Sequence, residues 1–145
     1  MGIIGIIYAI QEAFERARKK NWDYIVVLVD IHGTIFEPCW DEQERFKYYP
    51  DSKAVLQEMT KRNDIKMVLW SSCYPDKIEM YRNKLKEDGI VFDYVNEFPE
   101  AENTSTGCFD QKMFFNVGID NAFGFNPFED WHNVMVALDI YGLNK

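Results

Sequence analysis

An α/β fold, a mostly parallel sheet with helices on both faces, is predicted by three features of this 145-residue chain. Continuous apolar runs of strand length, "YIVVLVD" at 24–30 and "DIKMVLWSS" at 64–72, have the pattern of strands covered on both faces. Segments of helical spacing lie between the strands, and that alternation requires right-handed crossovers joining parallel strands. Polar residues stand at the ends of the apolar runs, where such a sheet binds its ligands.

Each element has its own warrant. Ile3, Ile6, Ile7, Ile10, Phe14 and Ala17 recur at helical spacing, so residues 1–20 contain an amphipathic helix packed on the core. The run at 24–30 is the central strand. A polar, aromatic loop follows, and "PDSKAVLQEMTKRN" (50–63) reads as a helix with Asp51 or Ser52 as its cap. The strand at 64–72 leads to "YPDKIEMYRNKLKEDG" (74–89), a helix with Pro75 near its start and Gly89 past its end. "VFDYVNEF" (91–98) is a short third strand, "KMFFNVGID" (112–120) a fourth, and "PFEDWHNVMVALDIYG" (127–142) a closing helix. No linker or internal repeat interrupts residues 1–145, which form a single domain.

Composition narrows the functional classes. An apolar share of 47% with 16% aromatic residues belongs to a packed globular chain rather than a disordered one. The net charge of −8 disfavours nonspecific nucleic-acid binding, which requires a Lys/Arg surface to release counterions. The basic cluster "ERARKK" at 15–20 closes a helix, where cations oppose the negative end of the dipole. Cys39, Cys73 and Cys108 fit no zinc spacing and leave an odd thiol under any pairing, which predicts a reducing, cytoplasmic setting. The apolar start "MGIIGIIYAI" is too short to span a bilayer, lacks the charged region of a signal peptide, and has Ile6 where myristoylation needs Ser or Thr.

Four polar residues adjoin the apolar runs: Asp30, Ser71, Lys112 and Asp120. If the four segments pair in one parallel sheet, these side chains converge on one crevice. Asp30 and Asp120 can share a hard cation such as Mg2+, while Ser71 and Lys112 hold phosphate oxygens. That combination suits phosphoryl transfer to a carboxylate, because the cation screens repulsion between an anionic substrate and an anionic nucleophile.

With these residues in place, "VLVDIHGTIF" (27–36) resembles the first motif of the haloacid dehalogenase superfamily, Asp-x-Asp-Gly-Thr after an apolar strand. "MVLWSSC" (67–73) is similar to its second motif, with Ser71 favoured over Ser72 because its hydroxyl follows directly on the apolar run. Lys112 and "MFFNVGIDN" are similar to the third and fourth motifs, in the family's order. The short length and "NTSTGCFD" (103–110) are similar to small members found in phage genomes. The resemblance implies a three-layer Rossmann-like sheet with minimal cap and a Mg2+-dependent phosphohydrolase acting on a small phosphorylated substrate. Asp30 would attack phosphorus, Ser71 and Lys112 would bind the transferring group, and Asp30, the main-chain carbonyl of His32, and Asp120 would hold the metal.

Two positions depart from that family. His32 stands where its phosphatases carry the second Asp as general acid and base; it either takes over that role, its ordinary pKa lying near about 6.5, or marks a site that binds phosphate and turns over poorly. Asn121 follows Asp120 where a second acid is common, and contributes no charge to the metal. Lys66 and Lys77 are alternative cations to Lys112. Trp40, Tyr48 and Tyr49, in the loop "FEPCWDEQERFKYYP" (36–50), could stack on a substrate ring, pack over the sheet edge or form a homodimer contact. A catalytically silent protein that binds a phosphorylated ligand or a protein is the alternative. A receiver-like signalling domain is disfavoured, since the carboxylates follow the first and last strands.

Overall fold

The computed structural model describes residues 4–38 and 46–144. Four parallel strands, β1 (Ile25–Asp30), β2 (Ile65–Trp70), β3 (Tyr94–Val95) and β4 (Val117–Ile119), lie in the order β3-β2-β1-β4. Four helices accompany them: α1 (Gly5–Lys19), α2 (Ser52–Lys61), α3 (Pro75–Glu87) and α4 (Asp130–Ile140). This is the predicted α/β class, a Rossmann-like three-layer arrangement around a parallel sheet.

Strand β1 is central because its sequence can be buried on both sides. Ile25, Val27 and Val29 face the helices, Val26 and Leu28 face the opposite layer, and all five are at most 2% exposed. β2 pairs along its whole length, Ile25 opposite Ile65 through Asp30 opposite Trp70. On the other side, Val27 and Val29 lie opposite Val117 and Ile119.

The outer layers differ from the expectation of helices on both faces. Ile6, Ile10 and Phe14 of α1, Val55 and Met59 of α2, Ile78 and Leu85 of α3, and Trp131 and Leu138 of α4 belong to one core cluster on a single face. The steps from β1 to β2 to β3 run in one direction, so right-handed crossovers place α2 and α3 on the same side. The return from β3 to β4 takes the chain to the opposite side. There residues 96–116 form no helix, since Pro99, Gly107 and a run of Asn, Thr and Ser break any 3.6-residue repeat. Phe98, Met113, Phe114 and Phe115 nevertheless cover Val26, Leu28 and Val68.

Several boundaries are tighter than the sequence predicts. β4 begins only at Val117 because the Asn116 side chain accepts from Val26 N–H at 2.7 Å while its own N–H donates to Val26 O at 2.8 Å. α4 begins at Asp130 rather than 127, as the Asn126 and Asp130 side chains capture the N–H groups of Phe128 and Asn126. At α2 neither predicted cap operates as one: Asp51 is left-handed, with φ 68°, and the Ser52 hydroxyl donates to the carbonyl oxygens of Ile35 and Tyr49. Among the described residues no helix is long and apolar enough to cross a membrane.

Candidate active site

In a parallel sheet, the crevice opens where successive connections leave in opposite directions. Here that point lies at the carboxyl ends of β1 and β4, since β2 and β3 lie to one side of β1 and β4 to the other. Asp30 ends β1 and Asp120 directly follows β4, so the register that sets Val29 opposite Ile119 brings the two carboxylates together.

The turn after β1 is built to hold them. Gly33 takes φ 74°, a conformation that side chains resist, and a Cβ there would sit 2.9 Å from Nδ2 of Asn121. Thr34 is wholly buried; its hydroxyl donates to Oδ2 of Asp30 at 3.1 Å and accepts from Asn121 N–H at 3.1 Å. Its carbonyl accepts from the Trp131 indole at 2.8 Å. One threonine thus links β1, the turn after β4, and α4. Asp120 is 9% exposed, and its Oδ1 accepts from Ala122 N–H at 2.9 Å, opening a 3₁₀ turn at Asn121–Phe123.

Burial and the facing Asp120 carboxylate push the Asp30 pKa from its ordinary 3.8 up to about 6, against the lowering effect of the Thr34 hydroxyl. Two carboxylates held together in this way repel one another, and a hard cation between them removes the repulsion. Among the described residues no group of three or more His, Cys, Asp or Glu side chains is placed to hold a metal ion, so the side-chain donors here are the two carboxylates. That set fits Mg2+, which keeps several waters and takes one or two carboxylates together with substrate phosphate.

The other predicted residues are placed less uniformly. Ser71 directly follows β2, one position beyond Trp70, the register partner of Asp30. Its hydroxyl oxygen accepts from Cys73 N–H at 3.1 Å, which leaves its proton free to donate. Asn96 fixes its main chain by accepting from Ser71 N–H and donating to Ser71 O, both at 2.8 Å. Ser72 is exposed. At His32, Nε2 lies 2.8 Å from the Tyr81 hydroxyl and Nδ1 lies 3.7 Å from Cys73 Sγ, and burial lowers its pKa. Neither ring nitrogen bonds to Asp30 or Asp120.

Lys112 is not brought to the crevice. It is exposed and, among the described residues, has no hydrogen-bond or ion-pair partner, while Phe114 just beyond it packs edge-on against Trp22, which precedes the opposite end of β1. Lys66 pairs with Glu100, and its register opposite Val26 places it four positions below Asp30. Lys77, in the first turn of α3, is on the same edge of the sheet as Asp30.

The aromatic loop also needs correction. Tyr49 is 6% exposed and packs edge-on against Phe128, so it is a core residue. The Tyr48 hydroxyl donates to Asp88 at 2.6 Å, and burial with that carboxylate raises its pKa. Its ring lies against Phe36, leaving it half-buried rather than presented for stacking. Trp40 lies outside the described residues. Sequence reading missed Asn96 and Tyr81, since each acts through a partner distant in the chain; the one local signal was Asn96 directly after an apolar strand.

The fold and site together define a parallel α/β protein with a carboxylate pair at its switch point. No protein-family model and no curated protein matches the sequence. Among solved structures, a conserved protein from Bacteroides thetaiotaomicron is similar to it, with a TM-score of 0.61 and 20% identity over 80% of this chain and 90% of that one. At that identity the likeness concerns the fold.

Proposed function

We propose that this protein is a cytoplasmic, Mg2+-dependent phosphohydrolase of the haloacid dehalogenase type, acting on a phosphomonoester through an aspartyl-phosphate at Asp30. The observation that carries the reading is the pair of half-buried Asp30 and buried Asp120 at the switch point, joined to the first-motif turn by Thr34 and Asn121. Asp30, Asp120 and the main-chain carbonyl of His32 would hold the metal, which when bound neutralises carboxylate and phosphate charge.

The chain's own groups supply the remainder. Thr34 donates to Oδ2 of Asp30, orienting the carboxylate so that Oδ1 is the attacking oxygen. Ser71 donates its free hydroxyl proton to a phosphoryl oxygen. The P–O bond to the leaving group breaks as the bond to Asp30 forms, and the departing oxygen takes a proton. Water then attacks phosphorus, releasing phosphate and restoring the carboxylate. His32 would give and take these protons once its ring leaves its contacts with Tyr81 and Cys73 and turns toward Asp30. Cys73 and Cys108 are free thiols, in keeping with a reducing compartment.

A second reading, a phosphate-binding protein with little turnover, is favoured by one feature: both His32 nitrogens face Tyr81 and Cys73 rather than the carboxylates. Hydrolysis of an aryl phosphate by wild type and Asp30→Asn, each with and without Mg2+, separates the two. Metal-dependent turnover that vanishes in the variant supports the enzyme. A folded wild type that binds phosphate without hydrolysing it supports the binding protein.

A further inference from the structure

A groove of about 590 Å³ runs between α3 and the sheet edge formed by β3. Pro75 and Asn96 line it, and Asn96 also grips the Ser71 main chain from both sides, so one end of the groove lies beside the candidate phosphate ligand. Ile78 and Val95 contribute apolar surface, while Arg82, whose guanidinium also donates to the Phe92 carbonyl at 2.9 Å, and Lys86 line it further along α3. In a chain of net charge −8, two cations in one groove mark a locally favourable place for an anion. Glu79 stands nearer the Pro75 end and disfavours a negative group close to the phosphate.

We infer that this groove binds the leaving group of the substrate, and that the leaving group is an extended peptide carrying acidic residues beyond its phosphorylated side chain. The inference rests on the phosphohydrolase reading for the identity of the phosphate end. A peptide is indicated because β3 is the edge strand of the sheet, and its outer backbone groups are matched best by another main chain. At about 1.5 Å of rise per residue, Arg82 lies roughly 10 Å and Lys86 roughly 16 Å along α3 from Pro75. An extended chain advances about 3.3 Å per residue, so the acids fall about three to five positions from the phosphorylated residue.

The test uses labelled phosphopeptides with acids at those positions, their lysine-substituted counterparts, and tripolyphosphate, titrated by fluorescence anisotropy against wild type and Lys86→Glu. Lys86 is exposed, so the variant keeps the fold, which circular dichroism checks. The acidic phosphopeptide should bind wild type about five- to tenfold tighter than the lysine peptide, and Lys86→Glu should abolish the preference. Equal binding of the two peptides overturns the groove assignment, even if wild type hydrolyses aryl phosphate. Tripolyphosphate binding as tightly as the peptide, with the same dependence on Lys86, overturns the peptide in favour of a simple anion site. A Lys86-dependent preference without hydrolysis of any phosphate upholds the groove and overturns the enzyme.

Discussion

Thr34 does more for the site than either of its sequence neighbours, because it touches three elements at once. Its hydroxyl bridges Asp30 and the Asn121 N–H, and it has no access to water that could replace either bond. Thr34→Val preserves shape and removes both bonds, so it should cost about 1–3 kcal/mol in thermal or chemical unfolding and lower turnover. Asp30 carries a separate signature. Its folded pKa is raised to about 6, so between roughly pH 4 and 6 the folded protein holds a proton that the unfolded chain has released. Stability of the metal-free protein should therefore fall as pH climbs through that window. Asp30→Asn should flatten the profile and gain about 1 kcal/mol at neutral pH once solvent screening of this half-buried group is allowed for. Urea unfolding between pH 4 and 7 in EDTA checks both statements.

At the scale of elements, the helical layer is tied together by Arg62. Its guanidinium pairs with Asp64 through both carboxylate oxygens and donates to the carbonyls of Leu138 and Tyr141, clamping the end of α2 and the start of β2 to the end of α4. Asp64 is 3% exposed; burial raises its pKa, but Arg62 and the Leu143 N–H outweigh that and leave it below the usual range. Arg62→Ala would leave a buried carboxylate without its cation and should destabilise by about 3–5 kcal/mol, read as a fall in Tm. The helices also bear on the missing phosphate cation. Lys77 opens α3 beside the crevice edge, whereas Lys112 lies in the irregular crossover. Steady-state kinetics of Lys77→Ala and Lys112→Ala should therefore show the larger rise in KM for Lys77.

For the whole molecule, the relevant consequence is linkage. A cation that binds the folded carboxylate pair and not the unfolded chain stabilises by mass action, about 2.7 kcal/mol at a hundredfold excess over Kd. Mg2+ should raise the Tm of wild type, and the rise should be lost in Asp120→Asn. An unchanged Tm for wild type across millimolar Mg2+ would remove the metal from the proposal. The open carboxyl edge is equally a property of the assembled molecule, since the crossover covers the opposite face and leaves the groove beside α3 accessible.

The parallel α/β class, the central position of β1, and the meeting of Asp30 with Asp120 were all legible in the sequence. Each depends on local pattern: an apolar run long enough for a strand, a carboxylate at its end, and a connection rule that leaves few topologies. What only tertiary structure decided lies where a residue's role depends on a distant partner. Tyr49 became core by meeting Phe128, Tyr48 was drawn to Asp88, His32 was taken by Tyr81 and Cys73, and Ser71 was fixed by Asn96. The second outer layer was likewise decided by packing, as aromatic side chains from an irregular segment cover the face of the sheet that helices were expected to cover. Periodicity reports which face of an element is apolar, but hydrogen-bond partners and the cover on that face follow from the chain's return in three dimensions.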